Sequence, residues 1–352
     1  LFDQTCALLL NRPAGRGLGG IPLTGRNLSV LALPEPHATG VLRKVILLPW
    51  LAGHWPRLWK QISSADVVHA LVPGDLGVIG ALLARLLGRR LVVRHCGTWG
   101  HRGTLADRFL AWWLPRLARS GKAIVFATGA GDAPPAPGVP NLHWIFSTAL
   151  SAGDLERITS ASPWEPRTTP RLVCVGRLTR GKNFHAVIEA LPVIRQTHPT
   201  AVLEILGDGP ARTELMELAR ELGVEEAVNI RGNVDREEVL RTLSTSHVFV
   251  FPTRVAEGFP KAVVEALACG VPVLAASVSV IPRLLVEGGG RLLEATDEQS
   301  VARGVLALLE APEHLPAMGS AGRQTASHYT LERWRDEIGR VLEAAWGPLR
   351  SP

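Results

Sequence analysis

Between residues 171 and 276 the chain alternates short apolar runs with stretches of helical pattern, and most runs end at a glycine or a turn. The apolar runs cover residues 171–175, 201–206, 228–231, 247–251 and 272–276. Runs of this length, rich in aliphatic residues and bounded by turn signals, are buried strands. Between them the pattern predicts helices over about 183–197, from Pro210, from an N-cap at Asp235 to about Thr245, and over 260–269 with a stop at Gly270. Strands separated by helices of this length cannot be hairpin-paired and form a parallel sheet with crossover helices.

The N-terminal half repeats the rhythm less clearly, with strands expected at 5–10, 28–33, 66–71, 91–95 and 122–127 and helices at 76–87 and 104–119. Residues 130–140 read as a surface loop, and residues 147–170, with Pro163, Pro166 and Pro170, read as a linker. A chain of 352 residues has room for two such domains, here 1–150 and 151–330. An apolar strand follows Leu1 almost at once, so the N-terminal domain is expected to lack a first βα unit.

Charge separates the halves. Residues 1–150 hold 16 Lys and Arg against 6 Asp and Glu, while residues 151–352 hold 22 against 26. A basic half can face nucleic acid, anionic lipid or a phosphorylated substrate. Seven of the ten tryptophans also lie before residue 150, concentrated in residues 47–60 and 109–119 beside leucines and cations. These segments fit either a membrane interface or amphipathic helices burying Trp in the core. The longest apolar stretch, 76–87, is too short to span a bilayer. The opening residues show no secretory pattern, and Cys6, Cys96, Cys174 and Cys269 form no metal-type pair, so reduced thiols in the cytoplasm are expected.

Three segments carry chemistry, each following a strand end, where open α/β sheets bind ligands. In Val175-Gly176-Arg177-Leu178-Thr179-Arg180-Gly181-Lys182-Asn183, two glycines and three cations stand between a strand and a helix start. Such a turn is either a diphosphate cradle or a solvated basic loop. Gly207-Asp208-Gly209-Pro210 is at least a tight turn. In Glu257-Gly258-Phe259-Pro260-Lys261-Ala262-Val263-Val264-Glu265, two carboxylates eight positions apart flank the mouth of a helix, where amides near Gly258 and Phe259 can meet an anion. Carboxylates accept hydrogen bonds from diols, so Glu257 suits sugar hydroxyls and Glu265 ribose hydroxyls. Lys261 fits a phosphate contact and a solvated side chain equally well.

Taken in order with Ala268-Cys269-Gly270-Val271-Pro272-Val273, these segments resemble the retaining glycosyltransferases of family 4, over about residues 171–345. The resemblance implies the GT-B fold: two doubly wound Rossmann-like α/β domains facing a cleft, with a final helix, about 331–348, crossing back onto the N-terminal domain. That domain would take the acceptor and the C-terminal one a nucleotide-sugar donor. Arg177 and Lys182, with Gly258 and Phe259, match the diphosphate site. Glu257 matches the acid at the donor sugar, Glu265 the ribose acid, and Gly232, Asn233 and Val234 border the base. His95, at a strand end, is the second candidate at the reaction centre, with His69 its competitor. The implied reaction moves a sugar to a carbohydrate or lipid-linked acceptor in glycan synthesis, with retained configuration and no cofactor or metal. It points to no nucleic acid partner and to the cytoplasm, at the inner face of a membrane.

Two features depart from the family. Ser277-Val278-Ser279-Val280 stands where a glycine-rich turn is usual, and the glycines of residues 15–20 follow the wrong strand to replace the missing first loop. A non-catalytic or truncated nucleotide-sugar-binding protein, or another GT-B enzyme such as a sugar-nucleotide epimerase, is the alternative.

Overall fold

The computed structural model describes residues 3–11, 27–36, 40–97, 99–100, 103–128, 134–166 and 168–348. The glycines of residues 15–20 lie outside them. The chain divides into two units: residues 1–128, 135–145 and 336–352 form the first, and residues 129–134 and 146–335 the second.

In the first unit the strands are β1 (Thr5–Asn11), β2 (Leu28–Pro34), β3 (Val67–Val72), β4 (Arg90–His95), β5 (Ala123–Ala127) and β6 (Leu142–Trp144). Its helices are α1 (Gly40–Ser64), α2 (Asp75–Leu86) and α3 (Leu105–Arg119). The five expected strands are present. The short β6 and the length of α1 are new: Pro49 and Pro56 lie inside α1 without ending it. All pairings are parallel, but they form two sheets, β1–β2 and β3–β4–β5–β6. Among the described residues no strand joins the two.

One core cluster links both sheets, with Leu33 of β2, Leu58 and Ile62 of α1, Val72 of β3, Leu91 of β4 and Leu114 of α3 fully or nearly buried. The other face of β2 stays open, with Val30 half exposed, and on β3 Leu71 is also half exposed. Parallel sheets are normally covered on both faces, so these strands present unusual apolar surface.

The Trp-rich segments hold both packed and exposed side chains. The Trp50 indole donates to the Pro34 carbonyl at 2.7 Å and packs against the core, as does Trp113. Along α1, however, Leu42, Val45, Leu48, Trp55 and Trp59 all reach solvent. Their helical spacing places them in one stripe. On α3, Leu105, Phe109 and Trp112 are likewise exposed.

The second unit contains α4 (Ala152–Arg157), β7 (Arg171–Val175), α5 (His185–Thr197), β8 (Val202–Leu206), α6 (Arg212–Glu221), β9 (Val228–Gly232), α7 (Arg236–Ser244), β10 (Val248–Phe251), α8 (Lys261–Ala268), β11 (Val273–Ala275), α9 (Ile281–Leu285), β12 (Gly290–Leu292), α10 (Glu298–Leu309) and α11 (Leu315–Ser327). The last helix, α12 (Leu331–Trp346), begins here, and its residues from Asp336 belong to the first unit. The six strands form one parallel sheet in the order β12-β11-β10-β7-β8-β9. Helices α5, α6 and α10 bury one face, through Leu172, Cys174, Leu203, Ile205 and Val250. Helices α7 and α8 pack on the strands from the other side, where Val173, Phe249 and Val273 are fully buried. The unit is therefore doubly wound. The proline-rich linker contains α4, which the prolines around it obscured. Its start is fixed by a capping box of Ser151 and Asp154.

Strand succession fixes where a ligand can go. From β7 the sheet grows one way through β8 to β9, and from β10 the other way through β11 to β12. The β7–β10 boundary is thus the switch point, and the loops leaving these two strands diverge to open a crevice. The turn after β7 is locked to the turn after β8 by backbone contact. A Cβ on Gly207 would lie 1.9 Å from the Gly176 carbonyl oxygen, and one on Gly209 2.3 Å from that of Leu178. The Leu178 amide donates to the Asp208 carbonyl, and the Ala211 amide to the Leu178 carbonyl, both at 3.0 Å. α6 starts at Arg212 rather than at Pro210 as expected, with the carbonyl of its N-cap Ala211 accepting from the Leu215 amide at 3.0 Å.

Gly207 also has φ +140°, which disfavours any side chain. Gly207→Ala should therefore destabilise the second unit by about 2–3 kcal/mol, measured by urea denaturation, as overpacking against a fixed backbone does. A variant as stable as the parent would show that the two turns can separate freely.

Candidate functional site

The loop after β7 is built to present cations. Gly176 closes the strand, Arg177 projects into solvent, and Arg180–Lys182 form one 3₁₀ turn. Asn183 then takes a left-handed conformation, φ +58°, which delays α5 to His185. Its buried amide nitrogen donates to the carbonyls of Pro252 at 3.2 Å and Thr296 at 2.7 Å. A left-handed non-glycine residue is uncommon and needs such support. From the β10 side, the Arg254 amide donates to the Gly181 carbonyl at 2.8 Å. The two loops at the switch point are thereby sewn together.

Lys182 and Glu257 meet across this seam. The Lys182 Nζ lies 2.5 Å from Glu257 Oε1, with both side chains largely buried. The ammonium also sits 5.0 Å from the centre of the Phe251 ring, which favours a cation. Glu257 Oε1 accepts a further bond from the Thr253 hydroxyl at 3.2 Å. The Glu257 amide donates to Ser279 Oγ at 3.0 Å. Ser279, with φ +49°, lies in the segment that departs from the usual glycine-rich turn. In this chain that segment has a definite task, holding the backbone at Glu257.

Phe259 contributes its ring to packing: it lies 5.4 Å from Tyr329 and 6.1 Å from Phe146, with Phe146 and Tyr329 themselves 5.1 Å apart. The cluster fixes the entry to α8, where Pro260 is the N-cap and the expected helix begins at Lys261. The amides of Gly258 and Phe259 stand just before this helix start. Four residues into α8 is Glu265, whose side chain is 12% exposed. Burial raises its pKa above the ordinary carboxylate value, against the opposing charges of Arg236 and Lys261. The loop after β9 is tied in as well, since the Gly207 amide donates to the Gly232 carbonyl at 2.9 Å. Gly232, Asn233 and Val234 thus border the same rim.

The loops bearing Arg177, Lys182, Glu257, Gly258 and Phe259, with Gly232 to Val234, all leave the carboxyl edge of one sheet, and α8 carries Glu265 on from there. Cations from one loop, a helix mouth from another and two separated carboxylates can hold a diphosphate, a sugar and a ribose in sequence. His95 belongs to the first unit. It ends β4, is 8% exposed and meets Trp99 edge-on at 5.4 Å. Burial pushes its imidazole below the ordinary value, with a hydrogen bond to the Gly97 backbone opposing. His69 lies in the middle of β3, not at its end as expected, because the strand continues to Val72. Thr253, Ser279, Asn183 and Arg236 escaped the sequence reading. Only Asn183, adjoining the Gly-Lys pair, carried a local signal.

Comparison with known proteins agrees with this fold. Residues 158–325 match the family described as glycosyl transferases group 1. The GDP-mannose-dependent alpha-(1-6)-phosphatidylinositol monomannoside mannosyltransferase of Mycolicibacterium smegmatis is 28% identical over 345 residues, covering 92% of this chain and 83% of that protein. The phosphatidyl-myo-inositol mannosyltransferase of Propionibacterium freudenreichii is 28% identical over 277 residues, covering 77% and 68%. Among solved structures, a sucrose-phosphate synthase from Thermosynechococcus elongatus superposes with a TM-score of 0.70 at 17% identity, over 96% of this chain and 88% of that one. HepE from Anabaena, solved with UDP and glucose, gives 0.68 at 20% identity, over 90% and 87%.

The raised pKa of Glu265 has a consequence for stability. A carboxyl that holds its proton longer when folded costs stability once pH rises past the ordinary carboxylate range. Glu265→Gln removes that cost. The variant should melt higher than the parent at pH 8, with the difference shrinking as pH falls toward the range where a free glutamate titrates. A variant less stable at pH 8 than at pH 5, relative to the parent, would reverse the sign and show that ionised Glu265 stabilises the fold.

Proposed function

The chain belongs to the group 1 glycosyltransferases of GT-B fold, and from that premise we propose that it is a retaining, metal-independent mannosyltransferase using GDP-mannose. Its proposed acceptor is a lipid-linked saccharide at a membrane surface. The observation that carries this reading is the Lys182–Glu257 pair at the switch point, flanked by Arg177 and the mouth of α8. The relatives named for GDP-mannose and phosphatidylinositol mannosides supply the donor and acceptor class.

In the reaction, the bond between the sugar's anomeric carbon and the diphosphate oxygen breaks. A bond from an acceptor hydroxyl oxygen to that carbon forms on the same face, and the hydroxyl proton passes to the departing diphosphate. Negative charge grows on the diphosphate as it leaves. Arg177, Lys182 and the amides before α8 meet that charge with fixed donors, the arrangement that lowers barriers most. The site thus supplies its own cations. When donor enters, Lys182 turns from Glu257 to the diphosphate, and Glu257 accepts from sugar hydroxyls instead. Glu265 receives the ribose diol, and residues 232–234 border the base. His95 stands for the acceptor side of the reaction centre.

Membrane contact fits the first unit. No helix among the described residues is long and apolar enough to cross a membrane. The exposed stripe of α1, with its two tryptophans, is instead suited to lie in a bilayer interface, where indoles settle at headgroup depth and basic residues meet anionic lipid.

Incubation with radiolabelled GDP-mannose and vesicles carrying a phosphatidylinositol mannoside should give labelled lipid, undiminished by EDTA. Lys182→Ala should lower the rate by roughly a hundredfold, as loss of one charge-stabilising donor does. No transfer from GDP-mannose, with transfer from another nucleotide sugar, would overturn the donor assignment.

Replacing both Trp55 and Trp59 by Ala should cut sedimentation with anionic vesicles several-fold while leaving the affinity for free GDP unchanged. Equal sedimentation of the variant would show that α1 is not the membrane face.

A further inference from the structure

Three charged groups from three separate segments meet beside α8. Arg236 opens α7, Asp154 lies in the first turn of α4, and Glu265 is buried in α8. The guanidinium is not shared equally between the two acids. Its Nη2 donates to Asp154 Oδ2 at 3.0 Å, a full hydrogen bond. Its Nε lies 3.7 Å from Glu265 Oε1, close enough to act as a charge and too far to donate. Asp154 is in turn held on other sides. It accepts from the Ser151 amide and from Arg157 Nη2, both at 2.8 Å. The Ser151 bonds, with Arg236, hold its pKa far below the usual carboxylate range despite the cost of burial. The other charges around Glu265 are Lys261, one turn earlier on α8, and Asp154 itself.

We propose that Arg236, anchored by Asp154, is a positioning residue that keeps Glu265 ionised without occupying its oxygens, leaving both free to accept from a vicinal diol. The proposal rests on the reading of Glu265 as the ribose acid. A direct bidentate Arg–Glu pair would neutralise Glu265 equally well but would consume the acceptors a ribose needs. A Glu265 with no cation nearby would take up a proton at its buried position and turn one acceptor into a donor. A guanidinium fixed on a second acid avoids both outcomes. α4 belongs to the second unit, so the device ties α4, α7 and α8 of that unit together.

The test compares GDP with 2′,3′-dideoxy-GDP, by calorimetry at pH 7.5, in the full chain. The ratio of the two affinities within one variant reports the diol contact and is insensitive to the fraction of protein folded. The parent should prefer GDP by roughly tenfold or more, as loss of hydrogen bonds to a charged acceptor implies. Glu265→Gln should abolish most of that preference. Arg236→Gln should reduce it to within about twofold of the Glu265→Gln value, and the residual preference should fall further at pH 6. Arg236→Lys should restore part of it, and Asp154→Asn should lie between parent and Arg236→Gln. A full preference in Arg236→Gln, with Glu265→Gln defective, would overturn the role of Arg236 and leave the ribose reading standing. An undiminished preference in Glu265→Gln, or no GDP binding by the parent, would remove the ribose reading itself and this proposal with it.

Discussion

Backbone packed directly on backbone at Gly207 and Gly209 is the constraint from which the rest of the site follows. The β8 turn can touch the β7 turn only because neither glycine carries a Cβ. The same β8 turn is bonded to the end of β9, and the β7 loop is bonded to the start of the β10 loop through Gly181 and Asn183. Four loops thereby become one rim. A rim this fixed can hold Lys182 and Glu257 face to face while both are largely out of water. An ion pair so placed gains from its low-dielectric surroundings only when its geometry is held for it, since desolvation otherwise cancels the attraction. The pair also holds each group in place.

Much of the second unit was legible because its signals are local. Strand ends coincide with Gly176, Gly207 and Gly232, and Asp235 caps α7 by accepting from the Glu238 amide as expected. Arg177, Lys182 and Glu257 stood out as charged residues at turn positions next to glycine, and Glu265 by its spacing of eight from Glu257. What the sequence hid depends on distant contacts. Arg236 reads as one more charge on an amphipathic helix, and only folding shows its alignment between Asp154 and Glu265. Ser279 reads as a departure from a family pattern, yet its hydroxyl and left-handed backbone support Glu257. The capping box of α4 was present in the residues, but the surrounding prolines outweighed it. The start of α6 was placed two residues early, because the turn that Gly207 and Gly209 pack against the β7 loop runs on through Pro210.

The first unit was harder to read for a different physical reason. Its strands are not all covered, so apolar residues there do not mean burial. Trp50 and Trp113 pack inward, while Trp55, Trp59 and Trp112 reach solvent from the same helices. Composition alone cannot separate the two groups, because both lie at helical spacing. Residues 1–150 thus combine an excess of basic residues with tryptophans that reach solvent.

The central claim is that a nucleoside diphosphate binds at the β7–β10 switch point by drawing Lys182 away from Glu257. A crystal structure of the chain with GDP tests it most directly. The account predicts the two phosphates against Arg177, Lys182 and the mouth of α8, the Lys182–Glu257 contact opened, and the ribose hydroxyls on Glu265. Nucleotide bound elsewhere, or bound with the Lys182–Glu257 pair intact, would contradict it.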